Sequence, residues 1–178
     1  MGRSRYKIYE TDYPYFITCT IIEWIALFGN IDITRIIIDS LNFLVKSNRI
    51  EIYGYVIMEN HIHIIAISND LHDELAKFKS YTARKVIDYL TEHNYSKILN
   101  RLEFFKLKHR TDRAHQLWQE GVHPEIISNR DILIQKLKYI HENPVRKGYV
   151  AEEYHWRYSS AVDYHGEIGL VEINKDWY

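Results

Sequence analysis

The chain is expected to fold as mixed α+β, with one antiparallel sheet covered on one side by two helices and a further helix near the C-terminus. Three observations carry that expectation. Runs rich in β-branched and aromatic residues (YFITCTII, EIYGYVIM, HIHIIAIS) alternate with longer stretches whose apolar residues recur every three or four positions. The segments follow the order β-α-β-β-α-β-α, without an internal repeat, a low-complexity tract or a linker. The 178 residues are 46% apolar and 26% charged, an ordinary balance for one globular domain spanning 1–178.

Tyr15–Ile22 reads as the first strand, and Glu23–Asn30 as a loop turning at Gly29-Asn30. A helix capped by Thr34 runs to about Ser47, burying Ile37, Leu41, Leu44 and Val45. Glu51–Met58 and His61–Ser68 form a hairpin turning at Glu59-Asn60. Leu71–His93 is a second amphipathic helix; Leu75, Phe78, Ala83, Val86, Ile87 and Leu90 form its buried stripe. The polar, basic stretch Asn94–Arg113 reads as a mobile connection. Gln116–Trp118 and Glu125–Ile127 belong to an interrupted fourth strand. Ser128 or Asn129 caps a third helix that ends before Pro144, because proline disfavours helical geometry in the residue preceding it. The core is expected over about 6–150 and an irregular tail over 151–178. A ferredoxin-like α+β arrangement with an additional C-terminal helix satisfies this order.

Composition narrows the function classes. No apolar run reaches the ~18 residues of a membrane helix, and the N-terminus lacks a hydrophobic signal core. Cys19 stands alone, which excludes an intrachain disulfide and a multi-cysteine zinc site and fits a reducing cytoplasm. The net charge of −1 conceals an asymmetry. Lys77–Lys147 carries 15 Lys and Arg against 8 Asp and Glu, a net of +7, while the remainder carries 8 against 16, a net of −8. A basic middle between acidic ends permits a localised phosphate-binding face.

His61-Ile62-His63 is the first chemical signal. Alternation along a strand sends both imidazoles to one face while Ile62 enters the core. Two neutral imidazoles on a rigid strand make half of a divalent-metal site. Ten histidines in this length would supply about half a His-x-His pair by chance, so the pair needs support from elsewhere. The late helix contains QKLKYIHENPVRKGYV, in which Tyr139 and Asn143 share a face at i, i+4 spacing.

Taken in order, VIMENHIHIIA, FKSYTARK, LWQEGVHPEII, QKLKYIHENPVRKGYV and WRYSSAVDYHGEIGLVEI resemble the single-tyrosine HUH transposases, in particular the branch of REP-associated tyrosine transposases. The resemblance runs from about Tyr6 to the C-terminus. It implies that His61 and His63 hold Mg²⁺ or Mn²⁺, that Asn143 completes the metal shell, and that Tyr139 is the nucleophile. It further implies a 5′-phosphotyrosine intermediate with a free 3′-hydroxyl, formed on single-stranded DNA near a hairpin. Such a bond is readily reversed, because a phenolate (pKa about 10) leaves more easily than an alkoxide.

Backbone contacts are expected from Lys77, Lys79, Arg84 and Lys85, from Arg101–Arg113, and from Arg146 and Lys147. Trp118, Phe104 or Phe105 would stack unpaired bases. Around His123-Pro124-Glu125 the chain departs from the family pattern, leaving His123 and Glu125 as candidates to support the ligands from behind. A prokaryotic cytoplasmic setting with nucleoid association and no membrane partner complete the expectation; the oligomeric state stays open between a monomer and a homodimer that shares helices between active sites. An HUH nickase of replication or conjugation, and a hairpin-DNA-binding protein without turnover, remain as alternatives.

Overall fold

A computed structural model describes residues 11–122 and 124–176. Four strands form one antiparallel sheet: β1 (Tyr15–Thr20), β2 (Glu51–Ile57), β3 (His61–Ile67) and β4 (Glu125–Ile126), in the spatial order β2-β3-β1-β4. Between β1 and β2 lies α1 (Ile31–Lys46), and between β3 and β4 lie α2 (Leu71–Glu92) and α3 (Ser96–Phe104). Each β-α-β crossover therefore straddles one intervening strand, the ferredoxin-like pattern expected from the sequence.

The strands alternate between two apolar layers, interrupted in β2 by an irregularity between Ile52 and Gly54. Tyr15, Ile17, Cys19, Ile62, Ile64 and Ala66 face α1 and α2, joined there by Ile37, Leu41, Phe78, Val86 and Leu90. The intervening residues Phe16, Val56, Met58 and Ile65 face α4 (Arg130–His141), meeting Leu133, Leu137 and Ile140. The two faces differ in cover: two long helices lie on one, and one twelve-residue helix lies on the other. His61 and His63 stand on the thinly covered face, in phase with Ile65 and opposite Thr20 and Thr18 of β1.

Local chemistry explains the boundaries. Asn30, rather than Thr34, caps α1: its side chain accepts from the amides of Asp32 and Ile33, and the helix begins four residues earlier than a Thr34 cap would place it. Thr34 instead donates to the carbonyls of Phe28 and Asn30. Asn129 caps α4 by accepting from the amide of Ile132, as the sequence suggested. The stretch read as a mobile connection holds α3, whose Leu102 is fully buried; a short apolar stripe flanked by charges concealed it. The interrupted fourth strand is present: Glu125 and Ile126 pair with Phe16 and Tyr15, and Trp118 bridges Ile21.

Gly54 lets α4 sit closely on β2, since a Cβ there would lie 2.5 Å from Leu137 Cδ2. His141 secures the same junction, its Nε2 2.9 Å from Ser160 Oγ, which also accepts from the amide of Tyr55. The C-terminal stretch is irregular yet packed. Val171 is fully buried and Asn174 donates to the carbonyl of Ile52. Among the described residues no helix is long and apolar enough to cross a membrane.

Candidate active site

Both histidines are buried at the edge of α4, with ring centroids 4.7 Å apart. Each is oriented through Nδ1. Asn60 donates from Nδ2 to the carbonyl of Trp24, which leaves its Oδ1 to accept from His61 Nδ1 at 2.6 Å. His63 Nδ1 lies 2.8 Å from Thr18 Oγ1, its register partner on β1. With Nδ1 engaged, Nε2 of each ring is the atom left to take a ligand.

Burial disfavours protonation of both rings. It holds His61 below the usual imidazole range, with Lys147 adding to the effect and Glu59 opposing it. His63 is pushed down to about 3, first by burial and then by the neighbouring His61, Lys136 and Arg146. Neutral imidazoles with available lone pairs are what a divalent cation requires.

The nucleophile candidate meets this pair within a single chain. The Tyr139 ring packs edge-on to His63 at 5.5 Å and to Phe16 at 5.9 Å, and the residue is 42% exposed. Arg146 reaches back from α5 (Asn143–Arg146), donating to the carbonyl of Tyr139 at 2.6 Å with its guanidinium 4.7 Å above the tyrosine ring. Asn143, one turn after Tyr139, donates from Nδ2 to the same carbonyl at 3.1 Å, so its amide oxygen is the donor atom it could offer a cation.

The two neutral imidazoles, each with Nε2 left to take a ligand, are compatible with a divalent ion, while the hydrogen bond of Asn143 runs to the Tyr139 carbonyl rather than to the histidines. Among the described residues no three His, Cys, Asp or Glu side chains cluster to enclose a metal, so two imidazoles would leave most positions open to amide, water and phosphate oxygens. Beside His61, Glu59 also carries a buried Oε2 with no hydrogen-bond partner, a negative charge suited to a nearby cation.

The other expected residues divide. Lys147 lies close enough to His61 to disfavour its charge, and Arg146 sits directly on Tyr139. Lys77, Arg84 and Lys85 line a groove between α1 and α2, on the opposite side of the sheet; Lys77 pairs there with Glu74. Lys79 is a structural clamp that donates to the carbonyls of Gln119 and Gly121. Trp118 belongs to the core, packed against Phe28 and Phe78 and donating to Thr82 Oγ1, which leaves no open ring face for a base. Within 101–113, Arg101 sits on α3, Arg110 pairs with Glu120 and Arg113 with Asp112. Phe104 is exposed, while Phe105 packs against the core. Glu125 accepts from Lys136 at 2.6 Å. His123 lies outside the described residues.

Sequence reasoning passed over three neighbours of the site. Lys136 stands 4.6 Å above the Phe16 ring and one turn before Tyr139; its i−3 spacing was the available signal. Glu59 was read only as half of a turn. Trp24 was read only as loop, yet its ring packs edge-on to His61 at 5.9 Å.

No protein-family model and no curated protein sequence matches the chain. Solved structures do. A REP-associated tyrosine transposase bound to a REP hairpin superposes with a TM-score of 0.67 at 17% identity, over 98% of this chain and 94% of that one. A Deinococcus radiodurans protein provisionally described as a transposase gives a TM-score of 0.46 at 16% identity, over 80% and 97%. The first likeness establishes a common fold: nearly the whole chain adopts the α+β architecture of that tyrosine transposase, and the edge of its thinly covered face carries two histidines and a tyrosine.

Proposed function

We propose that this chain is a single-tyrosine HUH transposase, cleaving and rejoining single-stranded DNA near hairpins through a covalent 5′-phosphotyrosine. The observation that carries the reading is the meeting of Tyr139 with His63, 5.5 Å between ring centroids and within one chain. The fold shared with a transposase structure that holds a hairpin supports it.

Tyr139 Oη attacks the scissile phosphorus and the bond to the 3′-oxygen breaks. The phenolic proton passes to solvent, and the departing 3′-oxygen takes one up to become a hydroxyl. The reverse attack by a 3′-hydroxyl restores tyrosine and joins the strands. His61 and His63, with Asn143, would hold Mg²⁺ or Mn²⁺, which when bound supplies a Lewis acid for a non-bridging phosphate oxygen. Arg146 over the Tyr139 ring and Lys136 over the adjoining Phe16 ring would place positive charge near an approaching phosphodiester.

The test is direct. Incubated with hairpin-bearing single-stranded DNA and Mn²⁺, the wild type is expected to form an adduct that survives denaturation, and Tyr139→Phe none. Equal adduct from Tyr139→Phe would refute the assignment.

A further inference from the structure

Trp24 is 58% exposed, a large apolar surface for a solvent-facing side chain. It is also held there against the preference of its backbone. Glu23 and Trp24 both have positive φ, 52° and 53°, the left-handed region that a bulky residue rarely enters. Consecutive residues in that conformation persist only where their surroundings impose it, and such strain gathers at functional sites.

The surroundings here are rigid. Ile21 donates to the carbonyl of Asn60, Ile22 to that of Leu117, and Trp24 to that of Ile21. Asn60 then joins indole and imidazole segments in one network, binding the Trp24 carbonyl through Nδ2 and His61 through Oδ1. The exposed indole is thereby fixed edge-on to His61 at 5.9 Å. Lys147 lies close enough to His61 to disfavour its charge, and so adds a cation to the surroundings of the site.

We infer that Trp24 is a stacking platform for an unpaired nucleobase of the single strand that enters the His61/His63 site. A flat aromatic face, fixed and solvent-open beside groups suited to phosphate, matches how proteins hold single-stranded nucleic acid. The inference rests on the function proposed above and adds a residue that selects strand conformation: a base paired in a duplex cannot turn its face to the indole.

The experiment uses the full chain carrying Tyr139→Phe, titrated in metal-free buffer with a hairpin oligonucleotide bearing single-stranded flanks. Trp24→Ala is expected to weaken binding about 5- to 150-fold, and Trp24→Phe to recover most of the loss. One abasic position in the flank should weaken the Trp24-containing protein by a similar factor while leaving Trp24→Ala unchanged, the signature of a coupled pair. Trp24→Gly should bind as poorly as Trp24→Ala yet melt no lower than its parent, since glycine accepts positive φ freely.

Two results would overturn the inference: Trp24→Ala binding as tightly as its parent, or Trp24→Gly melting well below it, which would make the indole a structural prop. Adduct formation by the Tyr139-containing protein is scored in parallel. An adduct with Trp24-independent binding sinks this inference alone, and absence of any adduct sinks the transposase reading.

Discussion

The two faces of the sheet solve different problems with the same strands. Towards α1 and α2, every strand residue meets a second apolar layer, and Ile17, Ile21, Ile37, Ile62 and Val86 are fully buried. Towards α4, cover stops short, and the residues at its margin are Thr18, His61, His63 and Tyr139. The first arrangement maximises burial, worth roughly 1.5–3 kcal/mol for each large aliphatic or aromatic side chain. The second keeps the imidazoles buried enough to stay neutral and leaves Tyr139 beside them open to solvent. The contrast teaches that the fold is stabilised chiefly from one side, and the function proposed above would use the other.

The largest expected effect tests that division directly. Phe78, fully buried between α2 and the sheet, should cost about 3–5 kcal/mol when replaced by alanine. The fraction of Phe78→Ala that stays folded should still form the Tyr139 adduct. His63→Gln should show the opposite: about 1 kcal/mol of destabilisation from the lost Thr18 hydrogen bond, with adduct formation abolished. Urea melts and adduct gels on both variants check the pair. Equal damage to stability and chemistry from either substitution would break the two-face description.

How much of this was legible in the sequence follows the same division. On the stabilising face, periodicity alone placed the strands, α1 and α2, because each apolar residue there answers to one burial requirement. On the working face, the His-x-His pair and Tyr139 with Asn143 stood out because their residue types carry chemistry at fixed spacing. What stayed hidden depended on a third dimension. Trp118 and Lys79 carry the residue types of a DNA contact, and only tertiary packing turns one into core and the other into a clamp on backbone carbonyls. Trp24 and Glu59 lie in segments that read as turns, and their importance comes from strands that return beside them far along the chain. Leu102 was lost for a similar reason, since α3 is too short for its periodicity to exceed its charge.

Acid should expose the working face next. Burial holds His141 down to about 4 and is the first cause of the depression at His63 to about 3. In the unfolded chain both titrate near 6.5, so the unfolded state binds more protons at intermediate pH. The stabilisation from keeping them neutral is complete above pH 6.5 and is lost as pH falls from there towards 4 and then 3. For His141 that loss is on the order of 3 kcal/mol. His141→Gln, which can retain a hydrogen bond to Ser160, should flatten the decline in melting temperature between pH 6.5 and 4 relative to wild type. Parallel curves for the two proteins would show that His141 does not carry the acid sensitivity.

The smallest effect is the most diagnostic for how DNA sits on the molecule. Lys77, Arg84 and Lys85 lie in the α1–α2 layer, whereas Arg146 covers the tyrosine and Lys147 lies near His61. Each phosphate neutralised on a single strand contributes about 0.7 to the slope of log affinity against log salt. Replacing Arg146 and Lys147 by glutamine should therefore reduce that slope by about 1.4, with little change in stability at these exposed positions. The triple Lys77→Gln, Arg84→Gln, Lys85→Gln variant should leave the slope unchanged if DNA engages only the face that carries His63. A fall of about 2 would mean that the strand wraps the sheet edge and reaches the helices behind it. The stabilising face would then be a second binding surface, and the basic composition of 77–147 would have a direct cause.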